Sequence, residues 1–253
     1  MIPLRDANPT RRTPLVTLVL VVACLLVWAW ELTLLSTTGE SALDAFITRW
    51  GIVPADLTTA WAAGDWVSAE TATLVTSQFL HGGWLHVLGN LLFLWIFGNN
   101  IEDRLGRGWF LLFYLGGGVV AGVTQVAIDP TSTIPTIGAS GAIASTLGAY
   151  LVLFPRARIT SLVFLGFFYQ LIDVPAVVVL VFWIVLQVID GLASLGVTEA
   201  GGVAFFAHIG GFAFGALVGL IVLRRSGGRM ADARSGVTPT VGPDGPSDPA
   251  RVG

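Results

Sequence analysis

Ser140, His208, His86 and Asn90 are the side chains of this chain whose types and surroundings could carry covalent chemistry. Ser140 stands in IGASGAIAS, where Gly138, Ala139, Gly141 and Ala142 leave the backbone near its hydroxyl open to approach. His208 stands in AHIGGFAFGALVG, followed by Gly211, Gly215 and Gly219 at a spacing of four, a small-residue ridge that permits close helix contact. In HGGWLHVLGN, His86 and Asn90 are four residues apart, which on a helix points two donors the same way. Serine, histidine and two further donors are the parts of a nucleophilic acyl-transfer site: nucleophile, base and oxyanion stabilisers. Taken singly, each has a plainer reading. A serine in a spanning helix commonly bonds its own backbone, an asparagine joins helices, and a histidine packs, relays protons or binds metal or haem. The glycine ridge reads as packing, and His81 as a cap at the mouth of its helix.

The elements that must position these residues follow from composition. Of 253 residues, 54% are hydrophobic and 11% charged, against roughly 25% charged in a soluble domain. Mean hydropathy is +0.79, and several uncharged runs exceed the roughly 18 residues of a spanning helix. The expected fold is therefore all-α: a polytopic membrane protein with six transmembrane helices. Cutting at the charges places them at Pro14 to Leu35, Trp84 to Asn100, Gly108 to Ile128, Pro135 to Phe154, Val174 to Ile189 and Gly201 to Leu223. The uncharged stretch Ile159 to Ile172 is short for a span and reads as an interfacial or re-entrant lead-in to the fifth helix. The domain division is 1–13 as a cytoplasmic N-terminal segment, 14–223 as the six-helix domain and 224–253 as a disordered cytoplasmic tail, rich in Gly, Pro, Ser and Asp. Arginines precede the first apolar run as in a signal peptide, but the run is too long and lacks a small-residue cleavage site before Glu31, so a retained helix is expected.

Arginine placement sets the orientation. With both termini inside, every arginine except Arg49 falls on the cytoplasmic side, and a seventh span would move five outside. Arg49 belongs to a long outer loop, Thr37 to Gly83, whose Phe46, Trp50, Ile52, Val53, Trp61 and Trp66 suggest partial embedding at the headgroup level. The second, fourth and sixth helices then run inward from the outer face. His86, Asn90, Ser140 and His208 converge on one layer, roughly 5 to 15 Å deep at 1.5 Å per residue. Polar groups within a span mark function by default.

These residues resemble the rhomboid intramembrane serine proteases. The likeness rests on GASGA around Ser140, on HGGWLHVLGNLLFLWIFGNNIEDRLG from His81 to Gly106 and on AHIGGFAFG around His208, in the family's order, and covers about residues 14 to 223. It implies Ser140 as nucleophile and His208 as general base in a dyad; the fourth and sixth helices contain no acidic third member. It further implies His86, Asn90 and the backbone N–H of Ser140 as oxyanion donors, with Gly211 and Gly215 packing the sixth helix on the fourth. The long first loop resembles the family's membrane-embedded loop, and Glu102 with Arg104 falls in its inner turn. One departure is that many members carry an aromatic residue four positions after the serine, stacked under the histidine. Here that place is Ala144, so Phe205 or Phe206 is the expected substitute.

The implied activity is endopeptidase cleavage of single-span membrane proteins near their outer ends, at segments that Gly, Pro or other helix-weakening residues let unwind. Activity should fall as His208 protonates. The alternative is a catalytically silent relative that binds transmembrane helices; a transporter would show paired broken halves, and no internal symmetry is visible. No cofactor or metal is expected: Cys24 is the single cysteine, and a site of His81, His86 and His208 lacks a carboxylate, its first two members pointing apart at i, i+5. The lipid bilayer is the partner; nucleic acid is excluded by a net charge of -3 without a basic stripe. Arg, Ala, Val and Gly in abundance without lysine fit a bacterial plasma membrane.

Overall fold

The computed structural model describes residues 1–165, 168–195 and 203–235. The chain is mostly helical. A strand, β1 (Ile2–Asp6), precedes α1 (Leu15–Thr38), α2 (Glu40–Trp50), α3 (Pro54–Ala62) and α4 (Ala69–Thr76). Then follow α5 (Trp84–Phe93), a π-helical turn Leu94–Gly98, α6 (Asn99–Leu105), α7 (Arg107–Ile128) and α8 (Ser140–Leu153). A hairpin of β2 (Arg158–Leu165) and β3 (Phe168–Pro175) leads to α9 (Ala176–Ser194), and α10 (Phe205–Ser235) closes the described chain.

Helices α1, α7, α9 and the Phe205–Arg225 part of α10 are long and apolar enough to cross a membrane, as is the bent pair Ala69–Phe79 and Trp84–Leu105 if taken as one span. The remaining expected span, α8, has 14 residues, about 21 Å at 1.5 Å per residue. It starts at Ser140 rather than Pro135 because the chain before it is held otherwise: Thr136 bridges Ile52, Gly138 donates its N–H to the Ser77 carbonyl at 2.9 Å, and Gly138 turns at φ +123°. Every residue from Gly141 to Tyr150 is buried, so α8 is the axis on which α7 and α10 pack. Tyr150, Phe97, Phe110 and Leu147 fill the core around its C-terminal half.

The all-helical expectation fails at one place. The stretch expected as a re-entrant lead-in, Ile159 to Ile172, is an antiparallel hairpin, and the N-terminal segment supplies its third strand in the order β1-β2-β3. The stretch is rich in β-branched and aromatic residues, which favour strands, and β1 pairs with β2 along it. Ile159 and Ser161 turn inward and are fully buried. Asp6 ties the sheet to the bundle, its Oδ2 accepting from Asn100 Nδ2 at 2.5 Å and from Tyr150 Oη at 2.9 Å.

The carboxylate of Glu102 accepts from the Val16 and Thr17 amides at 3.0 and 2.8 Å and from Thr17 Oγ1 at 2.8 Å, satisfying first-turn donors of α1 that no turn of helix can reach. The long first loop is folded as α2, α3 and α4 over a second small core of Ile52, Leu57, Leu74 and Val126. Trp61 stacks on Trp66 within it, centroids 5.6 Å apart. α10 runs as helix to Ser235; the rest of the expected tail, 236–253, lies outside the described residues.

Candidate active site

Ser140 is the first residue of α8, His86 the third of α5 and His208 the fourth of α10, so three helix N-termini meet at one end of the bundle. His208 Nε2 lies 2.8 Å from Ser140 Oγ. The approach of α10 to α8 that permits this is made through glycine. A Cβ on Gly211 would strike the Gly141 carbonyl oxygen, one on Gly215 the Ser145 carbonyl oxygen, and one on Gly148 the Phe212 carbonyl oxygen. Positions 211 and 215 thus face 141 and 145 backbone to backbone, one turn per step. The start of α10 is held from α7, where Gln125 Oε1 accepts the Ala207 N–H at 3.2 Å.

His86 occupies the space beside Gly138: a Cβ there would sit 2.6 Å from His86 Nε2 and 3.6 Å from Ser140 Oγ. The Gly82 N–H donates to His86 Nδ1 at 3.3 Å. A backbone N–H can only donate, so the ring proton lies on Nε2, the atom that faces Gly138. Asn90 is buried one turn further along α5, and its Nδ2 has no hydrogen-bond partner among the described residues. At the start of α8 the first amide bonded within the helix is that of Ile143, to the Ala139 carbonyl, so the N–H groups of Ser140, Gly141 and Ala142 have no helical partner among the described residues. Beside Ser140 lies a cavity of about 20 Å³ lined by Ser77, Gln78, Gly118 and Gly138, room for one water.

A model of the rhomboid domain matches residues 68–225. The chain belongs to the rhomboid family. Among curated relatives it is 39% identical over 90 residues to the rhomboid protease GluP of Bacillus subtilis, covering 36% of this chain and 16% of that protein. It is 34% identical over 152 residues to RHOMBOID-like protein 4 of Arabidopsis thaliana, covering 60% of this chain and 34% of the relative. Against the presenilin-associated rhomboid-like protein A of Danio rerio, a mitochondrial protein, it is 38% identical over 88 residues, covering 34% of this chain and 23% of the relative. The match spans well under half the length of each.

The structure departs from the expected rhomboid arrangement on α9. Neither Phe205 nor Phe206 stacks on His208; both lie close to Gly191 on α9. The ring against His208 is that of Trp183, centroids 5.7 Å apart and 39° between planes, and Trp183 stacks in turn on Phe212 at 6.1 Å. One turn after Trp183, Gln187 Oε1 lies 2.6 Å from His208 Nδ1. Sequence reasoning passed over both residues, although the signal was present: Gln187 is the one amide in the run Val174 to Ile189, where a polar side chain demands a partner. His81 and His86 are a second correction. Their rings meet edge to face at 5.1 Å instead of pointing apart, because His81 precedes α5 and helical spacing does not apply to it.

Proposed function

We propose that this rhomboid is an active intramembrane serine endopeptidase that cleaves transmembrane segments of single-span proteins near their outer ends. The observation that carries the reading is the 2.8 Å contact of Ser140 Oγ with His208 Nε2, on a ring whose other nitrogen is occupied by Gln187. Ser140 Oγ attacks the scissile carbonyl carbon as its proton passes to His208 Nε2, leaving a tetrahedral oxyanion. His86 Nε2–H, the unpartnered Nδ2 of Asn90 and the Ser140 N–H receive that charge. Collapse breaks the C–N bond, the leaving amine takes the proton from Nε2, and a serine ester remains. A water then gives a proton to the same nitrogen and its oxygen to the ester carbon; collapse breaks the bond from that carbon to Oγ, Oγ takes the proton back from Nε2, and the acid leaves with Ser140 restored. Gly211 and Gly215 serve the reaction by letting α10 close on α8. No step calls for a cofactor.

The reading includes six spans, with α8 as the fourth and the helix Trp84–Leu105 as the second, both termini cytoplasmic, in a plasma membrane with α2 to α4 partly embedded. It is supported by the arginine distribution and by a site at the N-terminal ends of α5, α8 and α10. A substrate helix keeps its amides in hydrogen bonds and must unwind before Ser140 reaches a carbonyl, which favours segments containing Gly or Pro.

The test is a fluorophosphonate probe on detergent-purified protein, with the adduct located by mass spectrometry. Labelling at Ser140 that is lost in Ser140→Ala and His208→Ala establishes an activated serine. No labelling of folded protein overturns the reading in favour of a silent binder of transmembrane helices.

A further inference from the structure

We propose that Gln187 is a third member of the reactive set, a positioning residue that fixes the tautomer and the plane of His208 from α9. The inference rests on the protease reading and deepens it, adding to the Ser–His dyad an amide that orients the histidine and takes no proton. An amide oxygen only accepts hydrogen bonds. At 2.6 Å from Nδ1, Gln187 Oε1 therefore places the imidazole proton on Nδ1, and the lone pair of Nε2 is left facing the Ser140 hydroxyl at 2.8 Å. The opposite tautomer would present an N–H to Ser140 and could not take its proton. When the ring becomes doubly protonated during attack, the same carbonyl dipole holds the second N–H.

The choice of an amide follows from the surroundings. A carboxylate within a spanning helix is costly and seeks a counter-charge, whereas an amide supplies the acceptor and its direction without a net charge. Trp183 and Gln187 are four residues apart on α9 and so lie on one face. The first covers the imidazole ring and the second grips its edge, so the docking of α9 determines whether His208 is aligned. A plain interhelical bond between α9 and α10 would account for the contact but not for its occupying the one ring nitrogen that Ser140 does not use. Around His208, α8 contributes Ser140 and α9 Trp183 and Gln187, while α5 places His86 beside Gly138, next to Ser140. Asp190, further along α9, is exposed.

The full chain has three histidines, so nitrogen-15 NMR of histidine-labelled protein in detergent reads the His208 tautomer directly, with His81→Gln and His86→Gln giving the assignment. Wild type is expected in the Nδ1–H form, and Gln187→Leu in exchange with the Nε2–H form. Fluorophosphonate labelling of Ser140 should slow by roughly 10- to 100-fold in Gln187→Leu, the loss typical when a partner that orients a metal-bound histidine is removed. Gln187→Glu should restore the rate and raise the acid limb of labelling by about one pH unit, because a carboxylate favours the imidazolium. Wild-type labelling and an unshifted acid limb in both variants would reduce Gln187 to an interhelical contact and overturn the proposal alone. A wild-type His208 in the Nε2–H form overturns it whether or not the leucine variant folds. Absence of labelling in folded wild type overturns the protease reading and this proposal together.

Discussion

Trp183 lies against the imidazole of His208, ring centroids 5.7 Å apart, although its own helix carries none of the three motifs that mark the site. The family resemblance places an aromatic residue at position 144, but Ala144 stands there, fully buried, and the ring against His208 comes from α9 instead. An aromatic pair contributes about 0.5–1.5 kcal/mol beyond its area, so Trp183→Phe is expected to keep kcat within about tenfold of wild type. Trp183→Ala should lose more, with KM nearly unchanged. Adding Ala144→Phe to Trp183→Ala should not restore activity: the site at 144 is enclosed, and overpacking it costs about 1–3 kcal/mol. Steady-state cleavage of a transmembrane reporter in detergent, with thermal unfolding alongside, checks all three; rescue by the double variant would show that the ring may approach His208 from either side.

The α8–α10 contact is the least tolerant part of the fold. A methyl on Gly215 would overlap the Ser145 carbonyl oxygen, which is backbone and cannot rotate away. Gly215→Ala is expected to push the helices apart, lower the unfolding temperature and remove activity through the Ser140 to His208 distance. Gly116, whose Cβ would meet nothing within 4 Å, provides the control: Gly116→Ala should be active and at least as stable, since alanine favours helix by about 1 kcal/mol. Equal stability of the two variants would mean that the ridge is not in close contact.

What could be read in the chain and what could not divide along physical lines. Ser140, His86, Asn90, His208 and the glycines at spacing four were legible because helical periodicity converts spacing into a shared face, and polar residues in apolar spans are few. The sheet was not, since β1 and β2 pair across more than 150 residues and β1 is too short to announce itself. His81 was misread by assigning it to a helix that begins at Trp84. Trp183 and Gln187 belong to α9; the lone amide of Gln187 in an apolar run signals that it needs a partner, but that the partner is His208, and that Trp183 covers the same ring, are tertiary facts that no local pattern encodes.

Asp6 supplies a pH dependence outside the spans. Burial raises its carboxyl above the ordinary value of 3.8, and the hydrogen bonds from Tyr150 and Asn100 offset this only in part. The folded state thus holds the proton more tightly than the unfolded chain. That contribution to stability is present below the unfolded value, about 4, and is lost as pH rises through the raised folded value. Wild type should therefore gain unfolding temperature relative to Asp6→Asn as pH is lowered from neutral towards 4. A difference between the two that stays constant with pH, measured in one detergent, would mean that Asp6 does not titrate differently on folding.

Glu31 makes a contact that is neither in a motif nor in the reaction. It is 1% exposed on α1, and its two carboxylate oxygens share the backbone N–H of His81 at 3.2 and 3.3 Å. That N–H lies in the link between α4 and α5, and the His81 ring leans on His86, so α1 fixes from behind the histidine that faces Gly138. Glu31→Ala leaves a buried N–H without an acceptor, at a cost of about 1–3 kcal/mol, while Glu31→Gln keeps an acceptor oxygen in place. The expected order of unfolding temperature is wild type and Glu31→Gln close together, with Glu31→Ala several degrees below. Slower labelling of Ser140 in Glu31→Ala, at temperatures where it is folded, should accompany the drop as His86 loses its support. If Glu31→Gln falls as far as Glu31→Ala, the charge and not the acceptor is what the link requires.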